Sequence, residues 1–85
     1  MARDRAAPRT GLAAAQAAWS DAVGEAIAAV ATPVSERAGT LTVECADGVW
    51  AEELDLMQDR LLGQLREALG ERAPRALSFR VARGL

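Results

Sequence analysis

Residues 49–55 read Val49-Trp50-Ala51-Glu52-Glu53-Leu54-Asp55, and they begin an amphipathic helix directly after an alternating segment. The chain has two tryptophans, one phenylalanine and no tyrosine, so the position of each large ring is informative. Apolar residues then recur at three- and four-residue intervals, the spacing of one helix face. They are Trp50, Leu54, Met57, Leu61, Leu65, Ala68 and Leu69. Asp47 is a suitable N-cap and Gly70 a suitable stop, so one long helix is predicted between them.

Two segments around this helix alternate polar and apolar residues. Residues 40–45 and 76–81 have the period of two that is typical of half-buried strands. A shorter strand is predicted at residues 34–37, joined to the next by a turn at Ala38-Gly39. One face of the resulting sheet is expected to meet water and to carry Thr40, Thr42, Glu44, Ser78 and Arg80.

The N-terminal half predicts a further helix that is interrupted at one position. Leu12, Ala15, Trp19, Val23, Ala26, Ile27 and Val30 have helical spacing. Gly24 predicts a break, and Thr32-Pro33 predicts the end, since a residue before proline avoids helical geometry. The fold class is therefore α+β, in the order α-β-β-α-β, with helices packed on one face of a three-stranded sheet. The predicted core is Trp19, Val23, Ile27, Leu41, Val43, Trp50, Leu54, Met57, Leu61, Leu65, Leu69 and Phe79.

Composition argues against several function classes. Histidine is absent and Cys45 is the single cysteine, so we expect no metal site, and the thiol is interpreted as part of the core. No glycine-rich phosphate loop with lysine is present, and no nucleophile–base set can be assembled, so an enzyme, a cofactor and a small-molecule substrate are not expected. No apolar run approaches the length of a membrane span or a signal peptide, which predicts a cytoplasmic protein.

Charge is segregated along the chain. Residues 1–20 carry a net charge of +2, residues 21–71 a net charge of −8 and residues 72–85 a net charge of +4. Residues 1–10 are expected to form a flexible basic arm, residues 11–83 one domain and residues 84–85 a tail. The candidate phosphate-contacting residues are Arg3, Arg5, Arg9, Arg72, Arg75, Arg80 and Arg83. Arginines near chain ends can equally be solvated without any ligand, and composition does not decide between the two.

The joint order of these features resembles the DciA family of bacterial replicative-helicase loaders. No single motif is specific, but the opening of the second helix with Trp50-Ala51 and Leu54 makes the combination recognisable. The matching residues are Trp19, Val23-Gly24, Ile27-Ala28, Thr32-Pro33, Gly39-Thr40-Leu41-Thr42-Val43, Trp50-Ala51-Glu52-Glu53-Leu54, Leu61-Leu62, Leu65, Leu69-Gly70 and Phe79.

The resemblance implies a KH-like domain that binds DNA and contacts a replicative helicase of the DnaB type without hydrolysing nucleotide. DNA binding would then be weak and sequence-independent, and the protein would associate with the nucleoid. Trp50 and Glu53 are the candidate partner-contacting residues, although Trp50 also fits core packing. The chain has no Gly-x-x-Gly loop of the kind with which KH domains clamp nucleic-acid backbone. The alternative function is a protein–protein interaction module of the same fold without DNA binding.

Overall fold

The computed structural model describes residues 11–82, and these form helices on one face of a three-stranded sheet. The elements in chain order are α1 Gly11–Val23, α2 Glu25–Ala28, β1 Ala31–Arg37, β2 Thr40–Cys45, α3 Gly48–Leu56, α4 Gln58–Leu69, a 3-10 turn Gly70–Arg72 and β3 Ala76–Val81. β2 lies in the centre, antiparallel to β1 and parallel to β3. The predicted α-β-β-α-β order is confirmed. The predicted arm at residues 1–10 and tail at residues 84–85 lie outside the described residues.

The first helix breaks at Gly24, as predicted. Gly24 has a φ of 96°, a value that residues with a Cβ rarely adopt, and it separates α1 from the short α2. Five residues before this break, the indole Nε1 of Trp19 donates a buried hydrogen bond of 2.8 Å to the carbonyl oxygen of Ala31. The bond fixes α1 against the start of β1.

β1 begins at Ala31, three residues before the predicted start at Val34. Thr32-Pro33 was expected to end a helix, but both residues belong to the strand and α2 has already ended at Ala28. An outer strand tolerates proline where the missing N–H would point away from the sheet. Gln16 of α1 meets this outer edge, and its Nε2 donates to the Pro33 carbonyl oxygen over 3.1 Å.

A tight hairpin turn connects β1 to β2. Ala38 and Gly39 have φ values of 53° and 88°, and two successive positive values are those of a type I′ turn. Glu36 supports the turn, because its Oε2 accepts a hydrogen bond of 3.0 Å from the Gly39 amide. The turn predicted from Ala38-Gly39 is therefore confirmed.

The predicted single long helix is wrong in one respect, because it breaks at Met57. Met57 has φ −95° and ψ 12°, and its N–H is shared between the carbonyl oxygens of Glu53 and Leu54. The break lets α3 lie along β3 while α4 turns to pack against α1. Asp47 caps α3 as expected, with Oδ1 accepting from the Trp50 amide over 2.9 Å. α4 ends at Leu69, and Gly70 follows as its C-cap with a φ of 60°.

The core lies between the helices and the sheet. The fully or nearly buried members of the predicted core are Trp19, Val23, Leu41, Val43, Leu54, Leu61 and Leu65, while Ile27, Trp50, Met57, Leu69 and Phe79 are half-buried and pack around them. Cys45 continues the alternation of β2 and is also fully buried. Leu62 and Leu77, which were not among the predicted core residues, are also buried in the core.

Candidate functional site

The sheet presents a polar face on the side opposite the core. Alternation in β2 buries Leu41, Val43 and Cys45 and leaves the residues between them on this side. Strand register adds their neighbours from β1 and β3. We call this surface the open face and define it by Ser35, Arg37, Thr40, Thr42, Glu44, Ser78 and Arg80.

Arg80 of the open face is held by an acidic neighbour on β2. Its Nη2 and Nε donate to Oε2 of Glu44 over 2.8 and 3.2 Å. The side chains remain 59% and 27% exposed, so water screens the ion pair. A surface pair of this kind contributes only about 0–1 kcal/mol, so a phosphate can compete with Glu44 for the guanidinium.

Arg75 lies at the other end of β3, beside the hairpin turn. Its Nη2 donates to the Ala38 carbonyl oxygen over 3.4 Å, and its guanidinium lies against Gly39. A Cβ at Gly39 would meet Nε of Arg75 at 2.7 Å, so glycine is needed for this approach as well as for its φ. Arg75 and Arg80 are five positions apart along an extended segment, roughly 16 Å.

The arginines therefore lie along β3 and the turn before it, and not in one compact cluster. Arg72 is exposed in the 3-10 turn. Arg3, Arg5, Arg9 and Arg83, which were also predicted to contact phosphate, lie outside the described residues. The structure adds Arg37, which pairs with Thr40 and so belongs to the open face. Its position directly before the predicted two-residue turn, opposite Thr40, was the signal for this.

A second exposed surface lies on α3. Val49 and Leu56 are large aliphatic residues that are 71% and 84% exposed. With Glu53 they occupy positions i, i+4 and i+7, which share one side of a helix. We call Val49, Glu53 and Leu56 the α3 outer face. Trp50 borders this face and is half-buried, so it contacts the core and also reaches the surface.

The exposure of Val49 and Leu56 was not predicted from the sequence. Both fall off the apolar stripe that runs through Leu54, and an apolar pair seven residues apart on the opposite side of a helix is the signal that could have found them. Single exposed aliphatic residues are ordinary on protein surfaces. Two on one helix face beside a half-buried tryptophan form an apolar surface suited to a protein contact.

Cys45 is the single cysteine of the chain, and it is buried in β2. Burial raises the pKa of the Cys45 thiol, and the nearby Asp47 carboxylate raises it further. A thiol in that environment stays protonated and is a poor nucleophile. Among the described residues, no group of three or more His, Cys, Asp or Glu side chains could hold a metal ion. None of the helices in the described part of the chain has the length and apolar character needed to span a membrane.

The structure defines a small α+β domain whose candidate functional residues lie on two exposed surfaces, the open face and the α3 outer face. A family model described as "Dna[CI] antecedent, DciA" matches residues 2–79. The chain belongs to this family, and the resemblance noted from Trp19 and Trp50 is confirmed.

Curated relatives agree with the family match. The chain is 37% identical over 59 residues to a UPF0232 protein of Rhodococcus jostii, covering 69% of this chain and 31% of that protein. It is 40% identical over 52 residues to a UPF0232 protein of Mycobacterium ulcerans, covering 61% and 28%. It is 37% identical over 61 residues to a UPF0232 protein of Mycobacterium tuberculosis, covering 72% and 33%. The chain thus spans about a third of the length of these relatives.

Proposed function

We propose that this domain is an accessory module of the replicative helicase that contacts a DnaB-type ring and holds DNA weakly. Membership of the DciA family carries the proposal, because the family is of the helicase-loader type. The α-β-β-α-β order is compatible with the KH-like domain that the resemblance implied. The mechanism would be one of positioning, in which one surface engages protein and another engages phosphate, and the domain itself performs no chemistry.

The α3 outer face is the surface that we propose for the helicase. Val49 and Leu56 supply exposed apolar area, Glu53 supplies a charge between them, and Trp50 supplies a ring anchored in the core. Aromatic residues held rigidly at the edge of an apolar surface are frequent hot spots of protein interfaces. Asp47 stabilises the start of α3 and so holds Trp50 in place.

Co-purification with the host's replicative helicase tests this contact. We expect the native chain to retain the helicase, and Leu56→Asp with Val49→Asp to weaken retention by about tenfold or more, because two charges would replace the apolar area. Ala17→Asp with Ser20→Asp is the matched control, since both positions are exposed on α1 and the change adds the same two charges away from α3. Unchanged retention by the double variant, or equal loss by the control, would rule out the α3 outer face.

The open face and the arginines beside it are the surface that we propose for DNA. Arg37, Arg75 and Arg80 are exposed, and phosphate contacts from a few arginines give weak binding that falls as salt rises. Fluorescence anisotropy with labelled DNA across a salt series measures this. Arg75→Ala with Arg80→Ala should lower both the affinity and its dependence on salt, whereas Arg60→Ala on α4 should change both less.

The alternative is a protein-interaction module of the same fold without DNA binding. The observation that favours it is the Glu44–Arg80 pair, which satisfies one of the proposed phosphate-contacting arginines within the domain. Helicase retention combined with no measurable DNA binding at low salt would establish this alternative.

A further inference from the structure

β3 is an outer strand, and the direction of its backbone groups can be read from its hydrogen bonds. The amide of Ala76 donates to Gly39, and the amide of Ala82 donates to Cys45, so even-numbered residues face β2. Successive residues of a strand point their N–H and C=O groups to opposite sides. The amides of Leu77, Phe79 and Val81 therefore point to the outer edge, where no described strand pairs with them.

Within residues 11–82, only the first of these three amides has a partner at that edge. Leu77 donates to Oε1 of Gln58 over 3.4 Å, a long hydrogen bond. Beyond it, Phe79 and Val81 leave an edge able to pair with a further strand.

The opposite edge of the sheet is occupied along the first half of β1. On β1, the outward carbonyl oxygens of Ala31 and Pro33 accept from Trp19 and Gln16. Pro33 has no N–H to donate, and a register shift follows it between Pro33 and Ser35. The first half of β1 is therefore unsuited to strand addition, whereas β3 leaves the outward amides of Phe79 and Val81 unpaired among the described residues.

A groove of about 350 Å³ runs beside the open edge of β3, between the strand and α3. Its lining residues are Ala51, Glu52, Asp55, Leu77, Ser78 and Phe79. The wall formed by α3 carries two exposed carboxylates, and the floor formed by Leu77 and Phe79 is apolar. In the part of the chain that the structure describes, no basic side chain lines the groove.

We propose that this β3 groove binds an extended basic segment of a partner protein, which pairs with β3 as a fourth strand. Main-chain hydrogen bonds to Phe79 and Val81 would supply affinity, and arginine or lysine at alternate positions would meet Glu52 and Asp55. This proposal is independent of the proposed helicase and DNA contacts. The unpaired amides of β3 and the carboxylates of Glu52 and Asp55 are present whether or not those contacts form.

Charge argues against a second copy of this domain as the occupant. Pairing of β3 with β3 would bring two α3 walls, each bearing Glu52 and Asp55, toward the same interface. The chain's own residues 1–10 are basic, but the described chain starts at Gly11, which lies against Glu36 of β1 on the opposite side of the sheet. A basic segment of another protein fits the groove without either difficulty.

The test uses the full chain and a synthetic peptide of alternating arginine and threonine, about eight residues long so that it spans β3. NMR of the isotope-labelled chain should show that hydrogen exchange at the backbone amides of Phe79 and Val81 slows by about tenfold or more when the peptide is bound. A peptide of alternating glutamate and threonine, and an arginine peptide N-methylated at the positions that pair, should bind at least about tenfold more weakly.

Variants of the domain separate backbone pairing from charge. Val81→Pro removes one outward N–H and should weaken peptide binding severalfold, while Val81→Ala removes the side chain and keeps the N–H. Glu52→Arg with Asp55→Arg should abolish binding, whereas Glu67→Arg with Glu71→Arg, an equal change of charge on exposed residues elsewhere, should not. Circular dichroism of each variant establishes that it is folded.

Three results would overturn the proposal. The first is equal binding of the glutamate and arginine peptides, or binding that leaves the Phe79 and Val81 amides unprotected. The second is protection of those amides in the free chain that disappears when residues 1–10 are deleted, which would make the chain's own segment the occupant. The third is concentration-dependent protection without peptide, which would make a second copy the occupant.

Discussion

The two tryptophans are held in different ways, so one contributes mainly to stability and the other is also available at the surface. Trp19 is 4% exposed, and its indole N–H satisfies a carbonyl oxygen of β1. Trp50 is half-buried at the first turn of α3. Its backbone amide, and not its indole, donates the hydrogen bond to Asp47. Trp19 therefore stabilises the fold through its polar atom as well as its area, whereas the indole of Trp50 remains partly available at the surface.

Replacing Trp19 by phenylalanine tests that buried hydrogen bond. Trp19→Phe keeps most of the apolar area but leaves the Ala31 carbonyl oxygen without its donor, so we expect a loss of about 1–3 kcal/mol in the free energy of unfolding. Trp50→Phe is the control and should cost less. Urea denaturation followed by circular dichroism measures both. Equal losses would show that the Trp19 bond contributes nothing beyond packing.

The thiol of Cys45 predicts a fall in stability at alkaline pH. Burial and Asp47 raise its pKa in the folded state above the ordinary value of 9.0. The folded state therefore holds the proton more tightly than the unfolded state, so this contribution is complete below the unfolded pKa and is lost as pH rises from there through the folded pKa. The urea midpoint should fall between about pH 8 and pH 10. Cys45→Ala should show a smaller fall over that range, and an equal fall would contradict the assignment.

At the scale of elements, the sequence predicted those that carry a clear period or a glycine. Residues 40–45 and 76–81 alternate polar and apolar residues without interruption, which predicts strands. Gly24 predicts a helix break because glycine is a poor helix former. Met57 has no such mark, because methionine is a good helix former and the apolar stripe continues through it. The break there depends on tertiary packing, since α3 follows β3 and α4 follows α1. The start of β1 was hidden because Thr32-Pro33 fits a helix end and an outer strand equally well.

The candidate surfaces were predictable to a smaller extent. The charge of the last residues indicated Arg75 and Arg80, but only the strand register shows that Arg37 shares the open face and that Glu44 pairs with Arg80. A parallel pairing between β2 and β3 connects residues far apart in sequence, and no local pattern specifies it. The outer edge of β3 was equally invisible, because which strand lies outside is a property of the whole sheet.

Gly24 and Gly63 form a matched pair for testing the helix break. At both glycines the space that a Cβ would occupy has no neighbouring atom within 4 Å, so steric clash does not distinguish them. Gly24 has a positive φ, and Gly24→Ala should destabilise the domain by about 1–2 kcal/mol through backbone strain. Gly63 lies inside α4, and Gly63→Ala should stabilise by about 0.5–1 kcal/mol. Thermal unfolding measures both, and a Gly24→Ala variant as stable as the native chain would show that the break is not required.

At the scale of the whole molecule, the two candidate surfaces differ in their charge. Glu52, Glu53 and Asp55 gather on α3, while Arg37, Arg75 and Arg80 lie on the sheet and its turn. The charge is therefore unevenly spread, with an excess of carboxylates on α3 and of arginines along the sheet and its turn. A molecule of this kind can attract polyanion on one side and a basic or apolar protein surface on the other.

Glu44 is the acidic exception on the basic side, and it gives the last prediction. Glu44→Gln removes a negative charge from the open face and releases the guanidinium of Arg80 from its partner. If DNA lies on this face, its affinity should rise by about two- to fivefold at low salt, the range expected for one exposed charge pair. Glu25→Gln is the control, because Glu25 is exposed on α2 and the change in net charge is the same. Anisotropy with labelled DNA measures both variants. An equal rise would assign the effect to net charge alone, and no rise in the Glu44→Gln variant would place DNA away from the open face, because Glu44 could then neither repel phosphate nor compete with it for Arg80.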